Sequence, residues 1–177
     1  MARVRPPYEE WNEDFGCEDV VDGLIAYAKQ IKPDAILTLG TFVYWQDDRI
    51  EAVPVGFGEV VRELNAEGID VIGFRDNPRF QTDPSTCALT EGSEAVECSV
   101  SRDLIYALES PLTELRQLDG FYEIDLADQF CPDGRCLPQI GNVLVYFDRH
   151  HVTQTYMSTL SFFVEEQLAE QGFVFRQ

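Results

Sequence analysis

Apolar positions recur along this chain with two alternating periods, and their succession predicts the architecture. Over residues 18–31, Val20, Val21, Leu24, Ile25, Tyr27 and Ala28 fall at helical spacing, and Lys32-Pro33 closes the run. Residues 34–40 form a short apolar run ending in Gly40, the pattern of a strand buried in a parallel sheet. A second helix is predicted over 56–66 through Phe57, Val60, Val61 and Leu64, with Glu67-Gly68 stopping it, and 69–74 is the next strand. Residues 75–100, rich in Pro, Ser, Thr, Asp and Glu, form a long polar excursion. Residues 101–118 carry Leu104, Ile105, Leu108, Leu112 and Leu115 as a helix disturbed at Pro111. Strands are predicted over 121–126 and 143–147. Residues 153–171 close the chain as a helix with Tyr156, Leu160, Phe163, Val164 and Leu168 on one stripe. Helix and strand alternate without internal repeat, which specifies an α/β sandwich with a parallel sheet. Ligands bind beyond the carboxyl ends of such strands, where residues 40–45, 75–78 and 148–151 all fall.

The length of 177 residues suits one domain, 1–177, with a full-sized core. The net charge of −19 argues against nucleic acid, which needs basic surface to displace counterions, and against anionic membranes. The acids are scattered rather than blocked into a tail, so solubility or a salt-adapted host accounts for them. No apolar run approaches the ~20 residues that span a bilayer. The start, Met1-Ala2-Arg3-Val4-Arg5-Pro6-Pro7, has no apolar core of the secretory kind, so the chain taken alone reads as unexported.

The cysteines point the other way. Cys131-Pro132-Asp133-Gly134-Arg135-Cys136 is a tight loop that a disulfide can clip, and Cys87 and Cys98 bracket another polar loop. Zinc is the rival, since Cys131 and Cys136 have a ligand-like spacing, but the other pair does not and neither histidine adjoins either pair. Two disulfides imply an oxidising compartment, and the odd Cys17 implies a partner elsewhere.

Both histidines sit in Asp148-Arg149-His150-His151-Val152-Thr153. An Asp three residues ahead of a His, on the loop after a strand, can fix the ring tautomer so that the imidazole acts as a general base. A surface turn followed by a helix capped by Thr153 explains the same residues.

The stretch from Cys131 through Ile140-Gly141-Asn142-Val143-Leu144-Val145-Tyr146, then Asp148-x-x-His151-Val152-Thr153 and Tyr156-x-x-x-Leu160, resembles the end of SGNH domains. More narrowly, it resembles those fused behind family-three membrane acyltransferases, which O-acylate cell-surface polysaccharides. Upstream, Cys17 before a helix, Lys32-Pro33-Asp34, Arg75-Asp76-x-Pro78, the Cys87/Cys98 pair and Ile124-Asp125-Leu126 follow the same order. The resemblance implies a flavodoxin-like three-layer sandwich with a Ser-His-Asp site, His151 as base and Asp148 as its orienting acid, and His150 as a neighbour. It implies an acyl-enzyme mechanism that needs no metal or other cofactor. It also implies an acyl donor and a carbohydrate acceptor as partners, a membrane acyltransferase domain upstream, and an extracytoplasmic location.

Two departures qualify this. The family's Gly-Asp-Ser nucleophile block, at the end of its first strand, is absent from the sequence, and Ser93, which follows a Gly, sits between the paired cysteines. The family's Gly-x-Asn-Asp block falls at Leu39-Gly40-Thr41-Phe42, where no Asn stands, leaving Gly40 as the candidate oxyanion donor. In the relatives the counterpart of Cys17 pairs with a cysteine just after the nucleophile strand. One missing first strand therefore accounts for the odd cysteine, the missing serine and the missing export signal, whether the chain is a fragment or a decayed remnant. Such a chain is expected to leave an open edge beside residues 34–39 and to be inactive alone. The rival class is a non-catalytic module that binds glycan or protein through Tyr44 and Trp45.

Overall fold

The periodic segments assemble around a small parallel sheet in a computed structural model that describes residues 17–43 and 51–174. In chain order its elements are α1 (Cys17–Ile31), β1 (Ala35–Leu39), β2 (Phe42–Val43), β3 (Glu51–Ala52), α2 (Phe57–Asn65), β4 (Asp70–Phe74) and α3 (Pro84–Glu91). There follow β5 (Val100–Ser101), β6 (Phe121–Ile124), α4 (Ala127–Phe130), β7 (Arg135–Cys136), β8 (Gln139–Ile140), β9 (Val143–Leu144), α5 (Gln154–Thr159) and α6 (Ser161–Glu170). The sheet runs β1-β4-β6, all parallel, with Leu37 opposite Ile72 and Phe74 opposite Ile124.

Strand alternation sends successive side chains to opposite faces, and each face gathers its own core. On one, Ile25 and Ala28 of α1 and Phe57, Val60, Val61 and Leu64 of α2 pack with Val71, Leu112 and Phe121. On the other, Ile72 and Ile124 meet Tyr156, Leu160 and Leu168 from the C-terminal helices, together with Phe130 and Tyr146. The result is the expected α/β sandwich, a sheet between two helical layers.

Four local expectations are corrected. Residues 101–118 are not a disturbed helix. Pro111 has no N–H to donate and disfavours helical geometry at Ser110, whose ψ is 131°. A 3₁₀ segment therefore starts at Pro111, Leu112 is buried, and Leu108 stands 98 % exposed. The polar excursion contains α3, which starts where the Asp83 carboxylate accepts from the N–H groups of Ser85 and Thr86. Residues 143–147 do not add a fourth parallel strand. Gly141 has φ 58°, and Gly141-Asn142 makes a two-residue turn that pairs β9 antiparallel with β8. The closing helix breaks at Leu160 into α5 and α6, while its predicted stripe still packs inward.

The first strand is the element that departs most from a buried parallel strand. Among the described strands β1 pairs only with β4, and Leu37 is 64 % exposed, with Leu39 beside it on the same face also exposed. On α1, Val20, Leu24, Tyr27 and Ile31 are exposed as well. Apolar surface of α1 and of β1 is thus exposed, and among the described residues no strand lies on the second edge of β1.

Disulfides join Cys87 to Cys98 and Cys131 to Cys136. The first has its Cα atoms 5.4 Å apart. The second, at 3.7 Å, lies closer than the usual bridging range of roughly 4.4–6.8 Å, because Asp133 and Gly134 both take positive φ and fold the loop tightly. For loops of these lengths, loss of each bridge is expected to cost about 2–3 kcal/mol. Denaturant unfolding with and without reductant checks this, and coincident curves would refute it.

Candidate active site

Local sequence builds the Asp148–His151 loop. Tyr146 and Val152 form an antiparallel bridge, and the Phe147 N–H donates to the His151 carbonyl at 2.7 Å, so the residues between them must turn. Asp148 closes that turn, its Oδ1 accepting from the backbone N–H groups of His150 and His151, each at 2.9 Å. Its Oδ2 lies 2.7 Å from Nδ1 of His151. The hydrogen bond to the His151 ring, then the two N–H groups, hold the Asp148 carboxyl well below the usual carboxylate range. Thr153 next caps α5, its Oγ1 accepting from the Tyr156 N–H at 3.1 Å. The capped turn and the Asp–His pair are therefore features of one loop. The His151 side chain is 65 % exposed, so its ring is open to a substrate.

The His150 ring stacks on that of His151, with centroids 4.1 Å apart, and its Nδ1 lies 3.6 Å from Asp148 Oδ1. That distance is too long for a hydrogen bond.

The loop from the carboxyl end of β4 reaches this one and holds the turn after β1 beside it. Asn77 donates through Nδ2 to the His150 carbonyl at 2.9 Å, and the Phe80 N–H donates to the Arg149 carbonyl at 2.8 Å. Buried Asp76 accepts through Oδ2 from the Val43 N–H and from Arg79 Nε, both at 3.0 Å, and its own N–H donates to Thr41 Oγ1 at 2.8 Å. Burial pushes the Asp76 carboxyl above its ordinary range, against the pull of Arg79 and the Val43 N–H. The segment after β4 thereby clamps the turn after β1 to the histidine loop. The sequence placed Arg75-Asp76-x-Pro78 on this rim without a role, and no local signal marks Asn77 as the bridge.

The candidate oxyanion donor Gly40 follows the last residue of β1. Its N–H is spent on the Phe74 carbonyl at 2.7 Å, and a Cβ there would meet Leu112 at 2.7 Å, so close packing explains the glycine. Tyr44, Trp45 and the Cys17 side chain lie outside the described residues. All the serines of the sequence are described, and none hydrogen-bonds to either imidazole.

A parallel sheet between helical layers, with an Asp–His pair on a loop at the rim, is the α/β sandwich of SGNH type. The chain matches the family described as "SGNH domain (fused to AT3 domains)" over residues 3–164 and belongs to it. No curated protein and no solved structure matches the chain.

Proposed function

We propose that this chain is the acid–base part of a carbohydrate O-acyltransferase or esterase, with its serine nucleophile supplied by a segment outside this sequence. The observation that carries the reading is the 2.7 Å contact between Asp148 and His151, in the order and spacing of the family's Asp-x-x-His block. Asp148 orients the ring and stabilises the imidazolium. His151 Nε2 takes the serine proton as Oγ attacks the acyl carbon, and the donor's leaving group departs with that proton. A sugar hydroxyl or water then attacks the acyl-enzyme, giving its proton to His151, and the serine is restored.

The edge of β1 on which no described strand lies supports a place there for the strand that would carry the serine. Helices α1 and α2 pack together on one face of the sheet. If the connection through α1 is right-handed, as nearly all such crossovers are, a strand feeding α1 lies on the side of β1 away from β4. Two disulfides support an extracytoplasmic compartment, and the family's fusion to AT3 domains supports tethering through a membrane acyltransferase domain.

The test compares this chain alone with the chain joined to a Gly-Asp-Ser-bearing strand and helix, on an O-acetylated oligosaccharide. Deacetylation by the joined form only, lost in His151→Ala, is the expected result. Hydrolysis by the chain alone that survives His151→Ala would overturn the proposal.

A further inference from the structure

We infer that Asp148, His150 and His151 form a binding site for a divalent transition cation of the zinc class, in which His150 is the ligand that the acyl-transfer chemistry leaves unused. One ligand atom from each of the three side chains falls within 4.8 Å of the other two. A tetrahedral zinc with bonds of about 2.0–2.2 Å holds its ligand atoms about 3.4 Å apart. The His150 Nδ1 to Asp148 Oδ1 separation of 3.6 Å is close to that spacing, and it is too long for the two groups to satisfy each other directly. His151 Nδ1 faces the other carboxylate oxygen, Oδ2, at 2.7 Å, so Asp148 presents both oxygens to an ion seated between the rings, and that contact must open by about 0.7 Å, which a small rotation of an exposed ring provides.

The frame around the three ligands is already fixed. Asp148 is pinned by two backbone N–H groups, the His150 carbonyl by Asn77 and the Arg149 carbonyl by Phe80. Among the described residues no hydrogen bond engages the His150 ring, whose Nδ1 has only the 3.6 Å approach to Asp148 Oδ1. Two imidazoles and a carboxylate form a donor set that zinc favours, and the open side of the loop leaves a fourth position for water. The site would also gate the chemistry. A cation on His151 Nδ1 leaves the ring proton on Nε2, the nitrogen that must accept the serine proton, so the loaded site is an inhibited one. That consequence rests on the proposed function, whereas the binding rests on the loop geometry alone.

Zinc chloride titrated into the oxidised chain, carrying no polyhistidine tag, tests the site without any catalysis. The chain has only two histidines, so both imidazole signals can be followed by proton NMR while calorimetry counts the ions. One ion per chain is expected, both imidazole signals should move together, and His150→Ala and His151→Ala should each weaken binding by about tenfold or more. Binding that is unsaturated at about 1 mM zinc, a shift confined to one imidazole, or unchanged affinity in His150→Ala with the same circular dichroism would overturn the inference. Each of these results leaves the acyl-transfer assay to be decided separately.

Discussion

In the assembled enzyme, His151→Ala is expected to lower kcat by about 10⁶-fold and Asp148→Asn by about 10⁴-fold, with little change in KM. The second figure follows from the loop's hydrogen bonds. The substituted amide keeps its carbonyl oxygen on the N–H groups of His150 and His151, as Asp148 Oδ1 does now. Its NH₂ then faces His151 Nδ1, which must accept rather than donate. The ring proton is driven to Nε2, and the base can no longer take a proton from the nucleophile. The fold should be indifferent, because the pair is exposed. In pH terms, the Asp148 carboxyl is depressed, so whatever the pair adds to stability is present above the unfolded carboxylate value and is lost as pH falls toward the folded one. Asp148 therefore remains ionised well below neutrality and does not set the acid limb of the rate profile. Single-turnover kinetics with a chromogenic acetyl ester check these losses. An Asp148→Asn variant retaining a tenth of the rate would remove Asp148 from the mechanism.

What the sequence revealed and what it hid divide along sequence separation. The Asp148–His151 pair was legible because its whole geometry lies within one turn, where spacing and backbone chemistry fix the outcome. The α1, β1, α2, β4 and β6 segments were legible because each carries a clean helical or short apolar period. Residues 101–118 misled because leucine spacing mimics a helix, while Pro111 and the exposure of Leu108 show that packing does not use it. The strand at 143–147 misled because a short apolar run does not reveal its partner, and the Gly141-Asn142 turn decided it. The clamp from Asn77 to the His150 carbonyl spans 73 residues, and the bond from Arg75 to Glu51 spans 24. Only the packing of the separate hairpins against the segment after β4 brings those groups together, and no local pattern encodes that packing.

Arg75→Met is expected to destabilise the chain by about 3–5 kcal/mol, the largest single effect on folding. The guanidinium is essentially without solvent contact and holds four groups at once. It meets Glu51 through Nε at 3.0 Å and Nη2 at 2.7 Å, Asp125 through Nη1 at 2.8 Å and the Ala107 carbonyl through Nη2 at 2.8 Å, and it lies 4.5 Å over the Tyr106 ring. Burial alone would lower its pKa, but Glu51 and then Asp125 outweigh burial and hold it above the ordinary value. Methionine fills the space but strands the Glu51 carboxylate, whose side chain is wholly buried, without a counter-charge. Thermal melting should fall by about 10 °C for a domain of this size. Adding Glu51→Leu to Arg75→Met should recover most of the loss, because it removes the wholly buried carboxylate, while Asp125 is 29 % exposed to water and still accepts from the Ala127 N–H. Arg75→Lys should not recover it, since an ammonium cannot reach Glu51 and Asp125 together with fork geometry. Glu51 opens β3 and pairs with Val43 of β2, whose N–H is held by Asp76, so the same substitution loosens the rim of the site. If Arg75→Met melts within 2 °C of the parent, the buried cluster contributes no net stability and the rim must be held by the Asp76 clamp alone.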